Sequence, residues 1–452
     1  MTHKQARILL CALVILLIVE GLLRKRMPDN LADLALFLKD LLVLPLIPYV
    51  LRNRSGGVVG RVFSAYLVTL ALFLPLAAYT ATRDPILAVF GLKQYVLYPW
   101  VAFAWARAFI TPDAEAWKTP YWILGFSLFI TFPVALLQIN LPSSHWLNLG
   151  VGGGDLSGFA AGGVQRVSST FSFIAQYNYY LLFLPASLAI CHFLRKEGPV
   201  RTIAFSLLVI TAGYIVSVFI TGSRTSVIGS LTVLILALFL FLQKARSSLF
   251  PKVLGLAVAL YVGFNLTAFL FPNAFIAYRE RTRGMDNKTH TEEVFQRMVD
   301  SYTLWWERIF PRAGFFGFGL GTMSNGVQAF SSYASHIRAT QGWGETDMAN
   351  TMMEGGLYLV LVWKGFRLYI VFCCWQVFRK IKSTLFVLPG AFFLSHVIIE
   401  GVNGALGIQP PAAIWFWSSV GSLLLLHGLE LQRTRRRKAA REAAASAKFQ
   451  AS

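Results

Sequence analysis

Arg224 lies between two long apolar runs, 203–220 and 226–242, where packing alone does not explain an arginine. Burying a guanidinium near a membrane surface costs about 2.5 to 3.5 kcal/mol even on lenient insertion scales. A chain that keeps such a charge commonly uses it to hold an anion. A snorkelling or helix-capping arginine is the alternative, because the long stem can return the charge to the surface. The position therefore predicts an anion contact where the second run begins.

Three further arginines, Arg166, Arg297 and Arg338, fall in segments that we place on the outer side of a membrane. Positive residues normally collect on the cytoplasmic side, so these arginines need another explanation. Several guanidinium groups around one cavity would suit a diphosphate, since each planar fork donates two parallel hydrogen bonds. For each arginine alone, a surface salt bridge with a nearby acid explains its presence equally well.

Two candidates for a general base precede the apolar run that follows Asp347. Glu345 is the first, because a carboxylate that is partly buried at this point can accept a proton. His336 is the second, because imidazole titrates near neutral pH, although an exposed loop histidine is the simpler interpretation. Asp347 itself fits an acid in the first turn of a helix better than a base.

No motif for a metal, a nucleotide or a serine nucleophile accompanies these residues. The chain has no HExxH, no GxSxG and no DxD-type pair in an outer segment. Its glycine-rich run, Phe315–Thr322, lacks the Gly-Lys-Ser/Thr of a phosphate-binding P-loop. We therefore expect a reaction that uses no metal and no cofactor. We predict that the glycine-rich run forms a tight turn with close backbone packing.

The elements that must position these residues are transmembrane helices. Of the 452 residues, 56% are hydrophobic and 14% are charged, whereas about a quarter of the residues in a soluble chain are charged. We predict an all-α, polytopic integral membrane protein. A span needs about 20 mostly apolar residues. On that rule there are about twelve spans, centred near residues 15, 41, 70, 97, 129, 183, 212, 234, 262, 363, 393 and 418.

The predicted spans divide the chain into four parts. Residues 1–271 carry nine spans and an outer segment at 139–172, residues 272–353 form one large periplasmic loop, residues 354–428 carry three spans, and residues 429–452 form a basic cytoplasmic tail. We expect the tail to contact anionic membrane lipids. The formal net charge of +20 indicates cytoplasmic Lys and Arg rather than a nucleic-acid partner.

Local signals refine this division. Apolar spacing over 291–310, after a possible Thr289/Glu292 capping box, predicts an amphipathic helix on the outer membrane surface. Pro410-Pro411 should interrupt the helix between the last two spans. The basic triplet Arg24-Lys25-Arg26 and the short loop 244–252 cannot both lie inside if all twelve spans alternate. This conflict leaves the number of spans open.

The order of these features resembles the O-antigen ligase/polymerase superfamily over roughly residues 160–425. The matching pieces are Arg166-Val167-Ser168-Ser169-Thr170-Phe171, Thr221-Gly222-Ser223-Arg224, Arg297, Gly317-Phe318-Gly319-Leu320-Gly321-Thr322 and Glu354-Gly355-Gly356. Each piece is short, and the resemblance lies in their order, spacing and placement.

The resemblance implies a site and a reaction. Members of this superfamily move a glycan from an undecaprenyl-diphosphate carrier to an acceptor hydroxyl on the periplasmic side of the bacterial inner membrane. Two arginines hold the diphosphate in the ligases, and Arg224 and Arg297 are similar to them in position. The ligases also have a histidine nine residues before the acid of a Glu-x-Gly motif. Counting back from Glu354 reaches Glu345 instead, so either Glu345 replaces that histidine or His336 reaches the site.

The missing histidine favours a polymerase of O-antigen or exopolysaccharide repeat units, in which Arg166 and Arg338 assist the two main arginines. The closest alternative is a ligase that transfers the glycan to lipid A core or to a protein. A transporter of lipid-linked oligosaccharides and a structural partner of an export complex belong to other classes. A transporter should place its charges along a path through the membrane, whereas the charges here gather at one face, which favours an enzyme.

Overall fold

The structure is a computed structural model. It describes the chain except for residues 54–55, 111–115, 155, 157–159, 161–164, 195–199, 246–249, 273–274, 277–295, 297–298, 301–302, 304, 343, 345 and 452. The described residues form helices, turns and loops and include no β-strand, which confirms the all-α prediction.

The described residues up to Asn140 form nine α-helices. They are α1 (His3–Arg26), α2 (Asp29–Ala35), α3 (Leu38–Val43), α4 (Leu46–Arg52), α5 (Gly57–Ala81), α6 (Pro85–Val96), α7 (Pro99–Ala108), α8 (Thr119–Phe126) and α9 (Leu128–Asn140).

Ten further α-helices are described after Asn140. They are α10 (Ile174–Leu194), α11 (Val200–Ile220), α12 (Arg224–Ala245), α13 (Phe250–Leu270), α14 (Phe310–Ala313), α15 (Ser332–Gln341), α16 (Asp347–Leu359), α17 (Gly365–Lys380), α18 (Thr384–Asn403) and α19 (Pro410–Ala451). The end of α18 and the start of α19 at Pro410 confirm the predicted interruption between the last two spans.

Among the described residues, ten helical segments are long and apolar enough to cross a membrane, so the chain is a multi-pass membrane protein. Two shorter apolar stretches, Ser206–Ile220 and Val258–Leu270, belong to α11 and α13. Every predicted span centre falls within one of these segments or stretches. The number of about twelve crossings and the periplasmic placement of the large loop stay predictions.

The helix α12 connects two chemically different ends of the bundle. It has 22 residues, which corresponds to about 33 Å at 1.5 Å per residue. We call the end near Arg224 the cavity end, because Ser223 and Thr225 line a cavity there. We call the end near Lys244 the basic end. At the basic end the Lys244 ammonium donates hydrogen bonds to the backbone oxygens of Phe378 and Ile381, the latter at 2.6 Å. This contact joins α12 to the end of α17 and to Ile381, the residue that follows it.

The basic triplet at the end of α1 lies at the cavity end. Lys25 Nζ donates to Leu147 O at 2.6 Å and to Ser168 Oγ at 3.1 Å, and the Arg26 guanidinium lies 3.8 Å from the centre of the Trp146 ring. These partners belong to the segment between α9 and α10, which hydrogen-bonds to the turn before α12. The triplet and Lys244 therefore lie at opposite ends of α12, so the two basic segments need not lie on the same side of a membrane.

One buried ion pair and one partly buried ion pair hold α1, α3 and α6 together. Lys39 Nζ lies 2.7 and 2.8 Å from the two carboxylate oxygens of Glu20, and Lys93 Nζ lies 2.7 Å from Asp40 Oδ2. Tyr98 donates its hydroxyl to Asp40 Oδ1 at 2.8 Å. Buried charges are tolerated when they are paired in this way. The pairing explains how Lys93 occupies an otherwise apolar run.

The glycine-rich run forms a tight turn, as predicted. Gly317, Gly319 and Gly321 have φ angles of +67°, +128° and +87°, which favour glycine over any residue with a Cβ atom. A Cβ atom on Gly321 would lie 2.7 Å from the Cα atom of Gly91 in α6. The backbone of the turn therefore packs directly against the backbone of α6, with no room for a side chain at Gly321.

Half of the predicted amphipathic helix at 291–310, together with the Thr289/Glu292 capping box, lies outside the described residues. The described part has a π-helical turn, Trp305–Ile309, followed by the short helix α14.

Candidate functional site

A cavity of about 380 Å³ opens at the cavity end of the bundle. Its lining residues come from the segment before α10, from α10, and from the starts of α12 and α16. The others are Lys364, at the end of the turn before α17, and residues at the end of α18 and in the segment that follows it. The polar side chains that line it include Arg166, Asn178, Thr225, Asp347, Lys364 and Gln409. Two of these are cations and one is an acid, so the described lining carries an excess of positive charge.

Four helices begin at this cavity. Their first residues or the residues just before them line its wall: Ile174 for α10, Ser223 for α12, Asp347 for α16 and Gln409 for α19. The first backbone N–H groups of a helix have no partner inside the helix, and the helix dipole places partial positive charge there. Four such ends around one space make it electropositive even before side chains are counted, which is the environment that binds phosphate groups.

The turn that carries Arg224 is built by local hydrogen bonds. Gly222 adopts a φ of +62°, and Ser223 N–H donates to Thr221 Oγ1 at 3.1 Å. Arg224 is then the first residue of α12 and is half-buried between Ser223 and Thr225, which both line the cavity. Arg224 itself is not among the residues that line the cavity, so its side chain starts beside the cavity wall, at the positive end of a long helix.

Arg166 reaches the same cavity from a different part of the chain. The residue after it, Val167, donates its backbone N–H to Thr221 O at 3.3 Å. This hydrogen bond joins the segment of Arg166 to the turn before Arg224, and Arg166 lines the cavity. The structure therefore brings the two segments together although 58 positions separate the two arginines in the sequence.

Asp347 faces this cavity from the start of α16, and two cations contact it. Its Oδ2 atom accepts a hydrogen bond from Lys364 Nζ and a second, 2.6 Å long, from Arg367 Nη1. Thr346 caps the helix by accepting from Ala349 N at 3.2 Å. With two cations on one oxygen, Asp347 acts as a first-turn acid and an anchor for cations, which agrees with the interpretation preferred from the sequence.

Lys364 and Arg367 were missed by the reasoning from sequence. Arg367 is completely buried and also donates to the backbone oxygens of Glu400, Gly401 and Gly404, so it holds the end of α18. Lys364 lines the cavity and donates to Val402 O at 3.0 Å. The available signal was the presence of two cations inside an apolar run, because charges that remain in a span usually have a partner and a role.

Glu354, the acid of the Glu-Gly-Gly motif, is fully buried and structural. It accepts hydrogen bonds from Tyr95 Oη at 2.5 Å and from Met323 N at 2.8 Å. The backbone beside it breaks the helix at Gly356, where φ is +60°, and pairs with the glycine-rich turn through Phe318 N to Met353 O at 2.8 Å. The motif therefore fastens the large loop to the bundle.

Arg338 supports the same turn. Its guanidinium donates to the backbone oxygens of Thr322, Met323 and Ser324, at 3.1 Å for the first and 2.9 Å for the last. Burial lowers the pKa of this guanidinium, and the nearby Glu354 carboxylate acts in the opposite direction. These contacts give Arg338 a structural task, while its predicted contact with diphosphate stays a prediction.

Of the remaining predicted residues, the structure describes only His336. Arg297 and Glu345 lie outside the described residues. Thr346, which follows Glu345 directly, lines the cavity. His336 is exposed on α15, and its neighbour Ile337 shares a buried apolar cluster with Ile408 of the cavity wall. The described residues contain no group of three or more His, Cys, Asp or Glu side chains that could hold a metal ion.

The helices and the cavity together define a class: a multi-pass helical membrane protein with an electropositive cavity at one end of its bundle. Comparison with known proteins adds no family to this description. No family model matches the chain, and no curated protein matches it.

Proposed function

We propose that this protein is a membrane glycosyltransferase that moves a glycan from undecaprenyl-diphosphate to a sugar hydroxyl. The observation that carries the proposal is the convergence on one cavity of Arg166, the Arg224 turn, Lys364 and four helix N-termini. Such a cavity suits a dianionic leaving group at a membrane surface. The product would be a longer lipid-linked polymer of O-antigen or exopolysaccharide repeat units.

The reaction needs charge stabilisation more than acid catalysis. The acceptor oxygen attacks the anomeric carbon, the bond from that carbon to the phosphate oxygen breaks, and undecaprenyl-diphosphate leaves with inversion at the sugar. Negative charge grows on the bridging oxygen as this bond breaks. Fixed donors and dipoles aimed at that oxygen lower the barrier, because they need no rearrangement in the transition state. Arg166 and Arg224 would supply these donors, with Arg297 and Arg338 as further contacts.

The acceptor hydroxyl must lose a proton as it attacks. Glu345 is the base that we favour, because its neighbour Thr346 lines the cavity and Asp347 is already engaged by Lys364 and Arg367. His336 is the second candidate. The proton passes from the hydroxyl to the carboxylate or imidazole, and then to solvent when the product departs.

The charges also suggest an orientation. Lys244 and the C-terminal tail carry positive charge near the basic end, which would face the cytoplasm by the positive-inside rule. The cavity end would then face the periplasm across the bacterial inner membrane. A donor in the outer leaflet could keep its polyprenyl chain in lipid while its diphosphate enters the cavity.

One experiment separates this proposal from its rivals. The purified protein is incubated with undecaprenyl-diphosphate-linked repeat units, with and without lipid A core, beside Arg224→Ala. A matched control is Arg52→Ala, which removes an exposed arginine at the end of α4. A ladder of lengthening lipid-linked chains, lost only in Arg224→Ala, supports a polymerase. Transfer that requires lipid A core indicates a ligase. No product from either the wild type or the Arg52→Ala control contradicts the proposal and favours a transporter.

A further inference from the structure

The side chain of Asn178 holds the turn of Arg224 on both sides. In α10, Asn178 Nδ2 donates to Ser223 Oγ at 3.1 Å, and Asn178 Oδ1 accepts a hydrogen bond from Ser226 Oγ. Ser223 is the residue before Arg224, and Ser226 is two residues after it. All three polar side chains are buried, with exposed fractions of 6%, 3% and 0%. One amide therefore fixes the first turn of α12 against a neighbouring helix.

We infer that Asn178 is a positioning residue for the diphosphate contact of Arg224, an inference that rests on the proposed function. The amide is suited to this task because it offers a donor and an acceptor on one rigid plane. The donor holds Ser223, and the acceptor holds Ser226. Rotation of the first turn of α12 would break at least one of these hydrogen bonds, so the direction in which Arg224 leaves the helix is fixed.

In this arrangement the hydroxyl of Ser223 can also donate a hydrogen bond to the ligand. A hydroxyl that accepts a hydrogen bond from Asn178 still carries its own proton, and Ser223 lines the cavity. That proton can be donated to a phosphate oxygen. The ligand class is therefore a diphosphate held by the Arg224 guanidinium and by the Ser223 hydroxyl, both set by Asn178.

Binding of inorganic diphosphate to the purified full-length chain, measured by calorimetric titration, tests the inference through a double-mutant cycle. Asn178→Ala is expected to weaken binding about tenfold to hundredfold, the usual effect of losing a hydrogen bond that supports a charged contact. In an Arg224→Ala background the same change is expected to have a much smaller effect, because only the Ser223 contact is then left for Asn178 to position. Asn140→Ala, which removes an exposed amide at the end of α9, is the matched control.

Asn178→Asp keeps the size of the side chain and tests the inference if Asn178→Ala does not fold. Its carboxylate can only accept hydrogen bonds, so it accepts one from the Ser223 hydroxyl, which is then no longer available as a donor to the ligand, and it adds negative charge beside Arg224. We expect diphosphate binding to fall at least tenfold.

The outcomes separate the inference from the proposed function. If Arg224→Ala weakens binding but both Asn178 variants bind diphosphate like the wild type, the inference is overturned and the proposed function stands. Equal losses from Asn178→Ala in the two backgrounds also overturn it, because Asn178 would then act independently of Arg224. If Arg224→Ala itself binds diphosphate like the wild type, both the inference and the proposed function are contradicted.

Discussion

Asp347 Oδ2 lies 2.6 Å from Arg367 Nη1, and this ion pair joins the cavity to the end of a neighbouring helix. Asp347 lines the cavity at the start of α16, while Arg367 is buried behind it and holds three backbone oxygens at the end of α18. The same carboxylate oxygen also holds Lys364. A single aspartate thus fixes one cation at the cavity wall and another in the interior.

Removal of Arg367 should destabilise the protein. We expect Arg367→Met to cost about 3 to 5 kcal/mol, because it breaks a buried ion pair and leaves three carbonyl oxygens without donors. Thermal unfolding in detergent gives the measurement. The double variant Asp347→Asn/Arg367→Met should lose less than the sum of the two single variants, and strict additivity would show that the pair is not coupled.

Arg224 should be sensitive to the shape of its side chain as well as to its charge. We expect Arg224→Ala and Arg224→Lys each to lower transfer activity at least about hundredfold, since lysine cannot donate two parallel hydrogen bonds to a diphosphate. Protein level and melting temperature should match those of Arg52→Ala. An active Arg224→Lys enzyme would show that positive charge alone suffices.

Glu345 should control the rate of proton removal. Glu345→Gln is expected to lower kcat by about 10² to 10⁴ with a smaller change in KM, the usual effect of losing a general base. His336→Gln serves as the comparison and should retain most activity. The opposite pattern, with an active Glu345→Gln and an inactive His336→Gln, would assign the base to His336.

The turn formed by the glycine-rich run should tolerate no side chain at Gly317. A Cβ atom there would lie 2.6 Å from the backbone nitrogens of Gly355 and Gly356, and φ is +67°. We expect Gly317→Ala to lower stability by about 1 to 3 kcal/mol or more through backbone strain and the clash. Gly314→Ala is a useful control, because its φ is +64° but no atom lies within 4 Å of its Cβ position. Similar losses in both variants would assign the effect to strain alone.

Asp84 should make the docking of α15 dependent on pH. Desolvation acts to raise the pKa of Asp84, but hydrogen bonds from Ser331 Oγ and from the backbone N–H groups of Leu87 and Ile86 outweigh it and lower the pKa below its usual value. A carboxylate with a lowered folded-state pKa stabilises the fold above its unfolded-state pKa, and this contribution is lost as pH falls through the folded-state pKa.

Hydrogen exchange of α15 between about pH 6 and pH 3 measures this effect, because the unfolded-state pKa of Asp is about 3.9. Exchange, corrected for its intrinsic pH dependence, should increase at the acid end in the wild type. In Asp84→Asn it should be faster at pH 6 and nearly independent of pH. An unchanged pH dependence in Asp84→Asn would show that another group is responsible.

Composition and hydrophobic runs in the sequence were sufficient to predict the membrane class and the location of each apolar helix. A segment of about 20 apolar residues has few alternatives to a helix in lipid, because every backbone polar group must be satisfied within the segment. The turn at Gly317–Gly321 and the break before Pro410 were also predicted, because glycine and proline restrict the backbone locally. The sequence further marked Arg166 and Arg224 as residues that packing does not explain.

Only the tertiary structure decided which of these residues meet. The contact of Val167 with Thr221 places Arg166 beside the Arg224 turn. The pairing of Asp347 with Lys364 and Arg367 places one unnoticed cation, Lys364, at the cavity wall and another, Arg367, in the interior behind it. Such contacts join residues far apart in the chain, and no local pattern encodes them. The meeting of four helix N-termini is likewise a property of how helices pack, since each sequence signal specifies where a helix starts but not which other helix starts beside it.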